Sequence, residues 1–470
     1  KPEITITLNE NNTNGEKIYS TFDPIEGSIS IVSRTDTKFD NLEIAMTGVG
    51  KTFVDKLSSS SAMVGRSEAI HRFLKLIQPI SDNDIPESRV LKAGKAYTFP
   101  FTFVVPQQLL PRSCSHSAIS NHLREFHLML PPSMGEKLGE SLEPEQVKIS
   151  YSIAVKLTRT KNSGKKSTIA DGSRKIKIRP TTSEHPPLNT DDDRDFCLRK
   201  DKTLRKGLLK GKIGALVMEA SQPKSFRLPA AHEPQHATTS VRVNLRFDPD
   251  TDDATPPRLQ NISTKLKVGT FFATTTRQDF PKRASPVADL TSDSAWETLS
   301  LASFTVPAVE WTKHAATASI SLSPRPESAL STFSSVSGVS CSGAPIAPSP
   351  SYHDGPFYTA HILVPLSLPT NKRFHPTFHT CLVSRVYVLQ LALSLAGQTF
   401  AAPTTLRLPV QVSCAGTAAG MERQRLESVA EQAWAEAEEA MAPRYVGPTG
   451  TEMSQPQRTQ SNHSLPPGYE

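Results

Sequence analysis

The chain has little of what marks the commonest biochemical classes. Its 470 residues include only five cysteines, Cys114, Cys197, Cys341, Cys381 and Cys414, widely scattered and never spaced Cys-x-x-Cys. That pattern indicates neither a zinc-finger nor a disulfide framework, and it fits a reducing compartment such as the cytosol. No run of about 18 apolar residues occurs. The longest, Tyr387 to Ala396, is short and broken by Gln390, so the sequence reads as soluble. It begins at Lys1 rather than Met, which leaves a preceding segment, signal peptide included, as an open expectation.

Catalytic signatures are missing as well. Ser163-Gly164-Lys165-Lys166-Ser167 lacks the earlier glycine and the strand–loop–helix setting of a phosphate loop. Gly338-Val339-Ser340-Cys341-Ser342 lacks the second glycine of a nucleophile elbow. No carboxylate pair flanks a recognisable cleft, so no catalytic residue and no cofactor is assigned, and an enzyme is not expected. The formal net charge of +7 is compatible with anionic partners. Yet there is no helix-turn-helix, zinc finger or aromatic–basic platform, so nucleic acid is not among them. His116, His122 and His127 lie near Cys114, and His375 and His379 near Cys381. Both groups read as Pro-rich loops and strands rather than as the i, i+4 face of a helix. They are expected to be core or surface histidines, with no metal.

What the sequence does have is alternation. Tyr97, Phe99, Phe101, Phe103 and Val105 occupy every second position, as do Ile149, Tyr151, Ile153, Val155 and Leu157. A period of two puts each set on one face of a half-buried strand. Pro100 and Pro106 remove backbone donors, which suits an edge strand or a strand end. Ile4/Ile6/Leu8, Ile25/Gly27/Ile29/Ile31 and Leu42/Ile44/Met46 add strands, Leu57 to Arg72 reads as a Ser-rich insertion, and Lys175 to Arg179 closes the set. A second series begins near Ile213. It contains Val241/Val243/Leu245/Phe247, with Arg242, Asn244 and Arg246 expected to face water. Ile262/Thr264/Leu266/Val268 follows, and the segments 358–366, 385–395 and 406–412 complete it. No internal repeat of 20 to 50 residues is visible.

The fold class expected is therefore all-β and antiparallel, with strand series spanning 1–182 and 213–415; that these are two tandem immunoglobulin-like β-sandwiches is what a family resemblance carried by residues 97–153 implies. Between them, 183–212 reads as a charged connector: Asp191, Asp192, Asp193 and Asp195 precede Arg199, Lys200, Lys202, Arg205, Lys206, Lys210 and Lys212. With 38 prolines but only 37% hydrophobic residues, part of the chain cannot offset its ordering entropy. Residues 323–357, rich in Ser, Pro and Gly, are expected to be a disordered insertion. In the tail, 416–470, the Glu- and Ala-rich stretch Met421 to Met441 predicts a solvent-exposed helix, and the polar remainder predicts disorder.

Tyr97-x-Phe99-Pro100-Phe101-x-Phe103-x-x-Pro106 is followed by Leu109-Leu110-Pro111 and Cys114-x-His116. His127-Leu128-x-Leu130-Pro131-Pro132-Ser133 and Tyr151-x-Ile153 come next. Together these resemble the N-terminal domain of fungal arrestin-like proteins, the α-arrestin family. Phe22-Asp23-Pro24-Ile25-Glu26-Gly27 is similar to that family's entry into its second strand, and Phe378 to Leu389 to its closing hairpin. The resemblance implies two tandem sandwiches and a role in protein trafficking. No counterpart is found for the phosphate-sensing buried charges of receptor arrestins.

Three features bear on partners. Pro466-Pro467-Gly468-Tyr469 matches Pro-Pro-x-Tyr, the recognition core for WW domains. Its prolines pre-set a polyproline II segment at low entropy cost, and the tyrosine fills an adjacent pocket. Arg159, Lys161, Lys165, Lys166, Arg174, Lys175, Lys177 and Arg179 gather around one predicted hairpin. They read either as a basic surface for anionic lipid or phosphorylated tails, or as an ordinary solvated hairpin. Ser285, in Lys282-Arg283-Ala284-Ser285-Pro286, is a candidate phosphorylation site for 14-3-3-like partners. The combined expectation is a cytoplasmic adaptor recruited peripherally to plasma membrane or endosomes. There it would join a WW-domain ubiquitin ligase of the HECT class to the cytoplasmic tails of transporters or receptors. The alternatives are an arrestin-like scaffold without ligase recruitment, and an extracellular adhesion protein suggested by sequons at Asn11, Asn261 and Asn462. The unpatterned cysteines weigh against the latter.

Overall fold

A computed structural model describes residues 1–9, 17–56, 65–135, 142–161, 164–186, 193, 195–205, 211–230, 233, 236–282, 291–315, 346–397 and 402–441. Lys1–Met421 form one compact unit, and Glu422–Glu470 a second.

The first half of the compact unit folds as two facing sheets. One has the order β1 (Glu3–Leu8), β3 (Pro24–Val32), β8 (Ala96–Val104). The other runs β2 (Ile18–Tyr19), β10 (Lys166–Ile178), β9 (Val147–Thr160), β5 (Asn41–Lys56), β6 (Gly65–Ile77). A small two-stranded antiparallel sheet pairs β4 (Thr37–Lys38) with β7 (Val90–Leu91). The aromatic alternation lies as its period requires: Phe99, Phe101, Phe103 and the whole set Ile149 to Leu157 are buried between the sheets. Among the described residues β8 pairs only with β3, so Pro100 stands on an edge strand where its missing N–H costs no ladder bond. Gly27 is required by close approach. A Cβ there would lie 2.2 Å from the Thr7 carbonyl oxygen and 2.7 Å from the Phe101 ring. Residues 65–72, expected to be part of an insertion, belong instead to β6. Pairing with the long β5 satisfies their backbone, although most of their side chains are polar.

The second half repeats the scheme. One sheet has the order β11 (Arg199–Arg205), β12 (Lys212–Glu219), β14 (Thr238–Pro249), β18 (Phe357–Ser367), β17 (Thr312–His314). Facing it are β16 (Ser292–Thr305), β15 (Leu259–Ala273), β20 (Val383–Leu395) and β19 (Phe378–His379), with β21 (Thr404–Val410) also on β20. β13 (Phe226–Leu228) pairs in parallel with β22 (Val412–Cys414). β11 lies inside the stretch expected to be a connector. Leu204 is buried in the second core, and Arg199 pairs with Glu219, which explains why a charged segment orders as a strand.

Two further expectations are corrected. Arg246, predicted to face water, is buried: its Nε donates to Asp248 Oδ1 at 2.6 Å and its Nη1 to the Ile346 carbonyl at 2.8 Å. The guanidinium lies 3.9 Å from the centre of the Phe357 ring and 4.7 Å from that of Tyr352. Residues 346–357, expected to be disordered, cover it, with the Ser349 N–H bonded to Asp248 at 2.7 Å. The remainder of 323–357 lies outside the described residues. The predicted tail helix is present as α2 (Ala418–Met441), with Leu426, Val429 and Trp434 exposed.

Candidate functional site

The two sandwiches meet along a seam. The first core extends into the second half through Phe272, Phe378, Leu382 and Val383. Hydrogen bonds cross it: the Thr52 hydroxyl donates to the Ala273 carbonyl at 2.6 Å, and the Ile119 N–H to Gln278 at 2.9 Å. On the first-half side the seam is built by a short 3-10 turn, Pro111–Ser113, and by α1 (Asn121–Leu128). Ser120 caps α1, accepting from the Leu123 N–H at 3.2 Å, and helical spacing turns Leu123, Phe126 and His127 inward together. The Phe126 ring sits 4.4 Å from His185, 4.8 Å from His122, 5.0 Å from His379 and 5.7 Å from Phe280. Burial first, then the neighbouring His127, pushes His379 down to about 3. Burial, then His116, takes His127 to about 4, so both rings are neutral at physiological pH.

Beside these rings the two Cys/His groups, separate in sequence, come together. Cys114 Sγ lies 3.3 Å from His116 Nε2 and 3.6 Å from His127 Nδ1. With Cys381 Sγ, all four ligand atoms fall within 4.8 Å of one another. Cys114, His127 and Cys381 are buried, and His116 is half-buried. Burial, then proximity to Cys114, pushes the Cys381 thiol up to about 12. The loop-or-strand setting expected for these residues is corrected at His122 and His127. His127 is on a helix, and the turn between β19 and β20 carries Cys381 to it. No local spacing foretells this meeting, because it depends on how the sandwiches dock.

A second polar joint lies nearby. Leu142, from the first half, is buried in the second core, and its carbonyl accepts from Arg385 Nη2 at 2.8 Å. The adjacent Glu143 accepts from His375 Nε2 at 2.5 Å and from the Gly135 N–H at 2.8 Å. Burial alone would raise the Glu143 carboxyl. The hydrogen bond and charge of His375, the Gly135 N–H and Arg385 together outweigh it and leave the group below its ordinary 4.5. Arg385 is 1% exposed and also bonds Thr270, a role its place in an alternating run did not reveal.

The basic set from the sequence does not form one patch. Lys165 and Lys166 are exposed at the β9–β10 turn, whereas Arg174, Lys175 and Lys177 lie toward the other end of β10. At about 3.3 Å per residue, Lys166 and Lys175 are about 30 Å apart. Arg179 is buried at the seam and donates to the Pro229 carbonyl at 2.8 Å. Arg174 donates to the Ile6 carbonyl at 3.2 Å. Ser285, Pro466, Pro467 and Tyr469 lie outside the described residues.

Among the described residues, no helix is long and apolar enough to cross a membrane. Residues 4–175 match the family model described as arrestin (or S-antigen), N-terminal domain. No curated protein matches the chain.

Proposed function

Because the chain is an arrestin-like protein, carrying an arrestin N-terminal domain over residues 4–175, we propose that it works as a trafficking adaptor joining a WW-domain HECT-type ubiquitin ligase to membrane-protein cargo. The arrestin-like body supports an adaptor or scaffold in general. The observation that carries the ligase arm is the Pro-Pro-x-Tyr sequence Pro466-Pro467-Gly468-Tyr469. On this reading the sandwiches, 1–182 and 213–415, engage the cytoplasmic tail of a transporter or receptor, while the tail motif binds the ligase. Two modest affinities then act together through effective concentration, with no catalysis by this chain. The exposed Lys165–Lys166 tip favours peripheral contact with an anionic membrane, at about 1 kcal/mol per cation. Phosphorylation at Ser285 would add a 14-3-3 docking point.

Titration of a WW-domain array with the full chain, intact and as Tyr469→Ala, tests the ligase arm. Micromolar binding lost in the variant supports it. Equal binding by both forms, or none by either, leaves a signalling or sorting scaffold.

A further inference from the structure

We propose that Cys114, His116, His127 and Cys381 bind one zinc ion that fastens the two sandwiches to each other. Two sulfur and two imidazole donors form the mixed set that suits zinc, while hard cations such as magnesium or calcium prefer oxygen. Tetrahedral zinc, with bonds of about 2.3 Å to sulfur and 2.0–2.1 Å to nitrogen, places neighbouring donor atoms about 3.3–3.8 Å apart. The distances from Cys114 Sγ to His116 Nε2 and His127 Nδ1, 3.3 and 3.6 Å, fall in that range. All four donors fit within 4.8 Å, so small side-chain adjustments close the shell.

The scaffold around the donors is already fixed. The Cys114 N–H closes the 3-10 turn onto the Pro111 carbonyl at 3.2 Å, and His127 sits on the buried face of capped α1. Cys381 is held in a tight turn, where the Thr380 hydroxyl oxygen accepts from the Leu382 and Val383 N–H groups at 3.4 and 2.9 Å. His116 Nδ1 donates to the Ser117 carbonyl at 2.9 Å, which leaves Nε2 with its lone pair toward the cluster. Such outer bonds are how proteins orient metal-binding imidazoles. Zinc entry displaces one proton from each thiol, and the resulting Zn²⁺ with two thiolates and two neutral rings carries no net charge. That neutrality suits a buried centre. Four protein ligands leave no open position, so the ion is structural.

Full-length chain is expressed with zinc supplied, purified under reductant without chelator, and analysed for bound metal. About one zinc per chain is expected. Cobalt(II) replacing it should give the visible absorption of a tetrahedral thiolate site. Cys381→Ser should abolish that spectrum and weaken zinc binding roughly 10-fold or more. His116→Gln, at the half-buried ligand, is the second variant. It should lose affinity similarly while circular dichroism stays that of the parent, which separates metal loss from misfolding. A metal-free chain, or a cobalt spectrum unchanged by both substitutions, overturns the proposal. So does a Cys114–Cys381 disulfide whose reduced form takes up no zinc.

Discussion

In the first sandwich, strand pattern and burial agree residue by residue: Ile25, Ile29, Ile31, Phe99, Phe101, Tyr151 and Ile153 are inward where alternation puts them, and the core they form is apolar. In the second, the same alternation runs through β14 and β20, yet Arg246, Asp248 and Arg385 are buried along it. The difference lies in what covers the outer faces. Segment 346–357 folds over one end of β14, and Leu142–Glu143 of the first half folds over β20. A period of two assigns a side chain to a face, but only tertiary covering decides whether that face is wet.

The contrast can be tested from both sides. Asp248→Ala should be the costliest change, since it strands the buried Arg246 and releases the Ser349 N–H. A loss of about 3–5 kcal/mol is expected in urea unfolding, against little for the double replacement Arg246→Met with Asp248→Leu. If the single variant costs under about 1 kcal/mol, the charges of the second sandwich are not buried as described. In the first sandwich, where packing rather than charge governs, Gly27→Ala should cost about 1–3 kcal/mol by forcing apart β1, β3 and Phe101. Faster hydrogen exchange confined to those strands would check it.

The smallest effect concerns Glu143. Its carboxyl is held below 4.5, so its stabilisation is complete above that value and is lost as pH falls through the lower, folded-state one. Glu143→Gln, which keeps an acceptor oxygen but loses the charge, should therefore be less stable than the parent by about 0.5–1.5 kcal/mol at pH 7. The gap should narrow only below about pH 4.5. A constant gap down to pH 3 would show that the charge of Glu143 contributes nothing.

Much of the fold was legible because side-chain alternation is local. The aromatic runs at 97–105 and 149–157, the edge prolines and the exposed helix over 421–441 all needed only short windows. β11 and β6 were missed because their sequences are polar and their order comes from pairing with β12 and β5. The seam was the least legible part. Cys114 and Cys381 carry no mutual signal in the sequence, and Arg179 looked like one more surface cation until the second sandwich covered it. The Pro-Pro-x-Tyr motif is the opposite case, readable entirely from its own residues.

Leu142 has a consequence for how the chain matures. It is supplied by the half that leaves the ribosome first, but its socket is built from strands synthesised much later. During that interval a hydrophobic plug waits without its hole. Once the socket forms, the two halves are no longer interchangeable modules. A second sandwich transplanted onto another protein would carry an empty slot at Leu142 and an Arg385 with no carbonyl to meet.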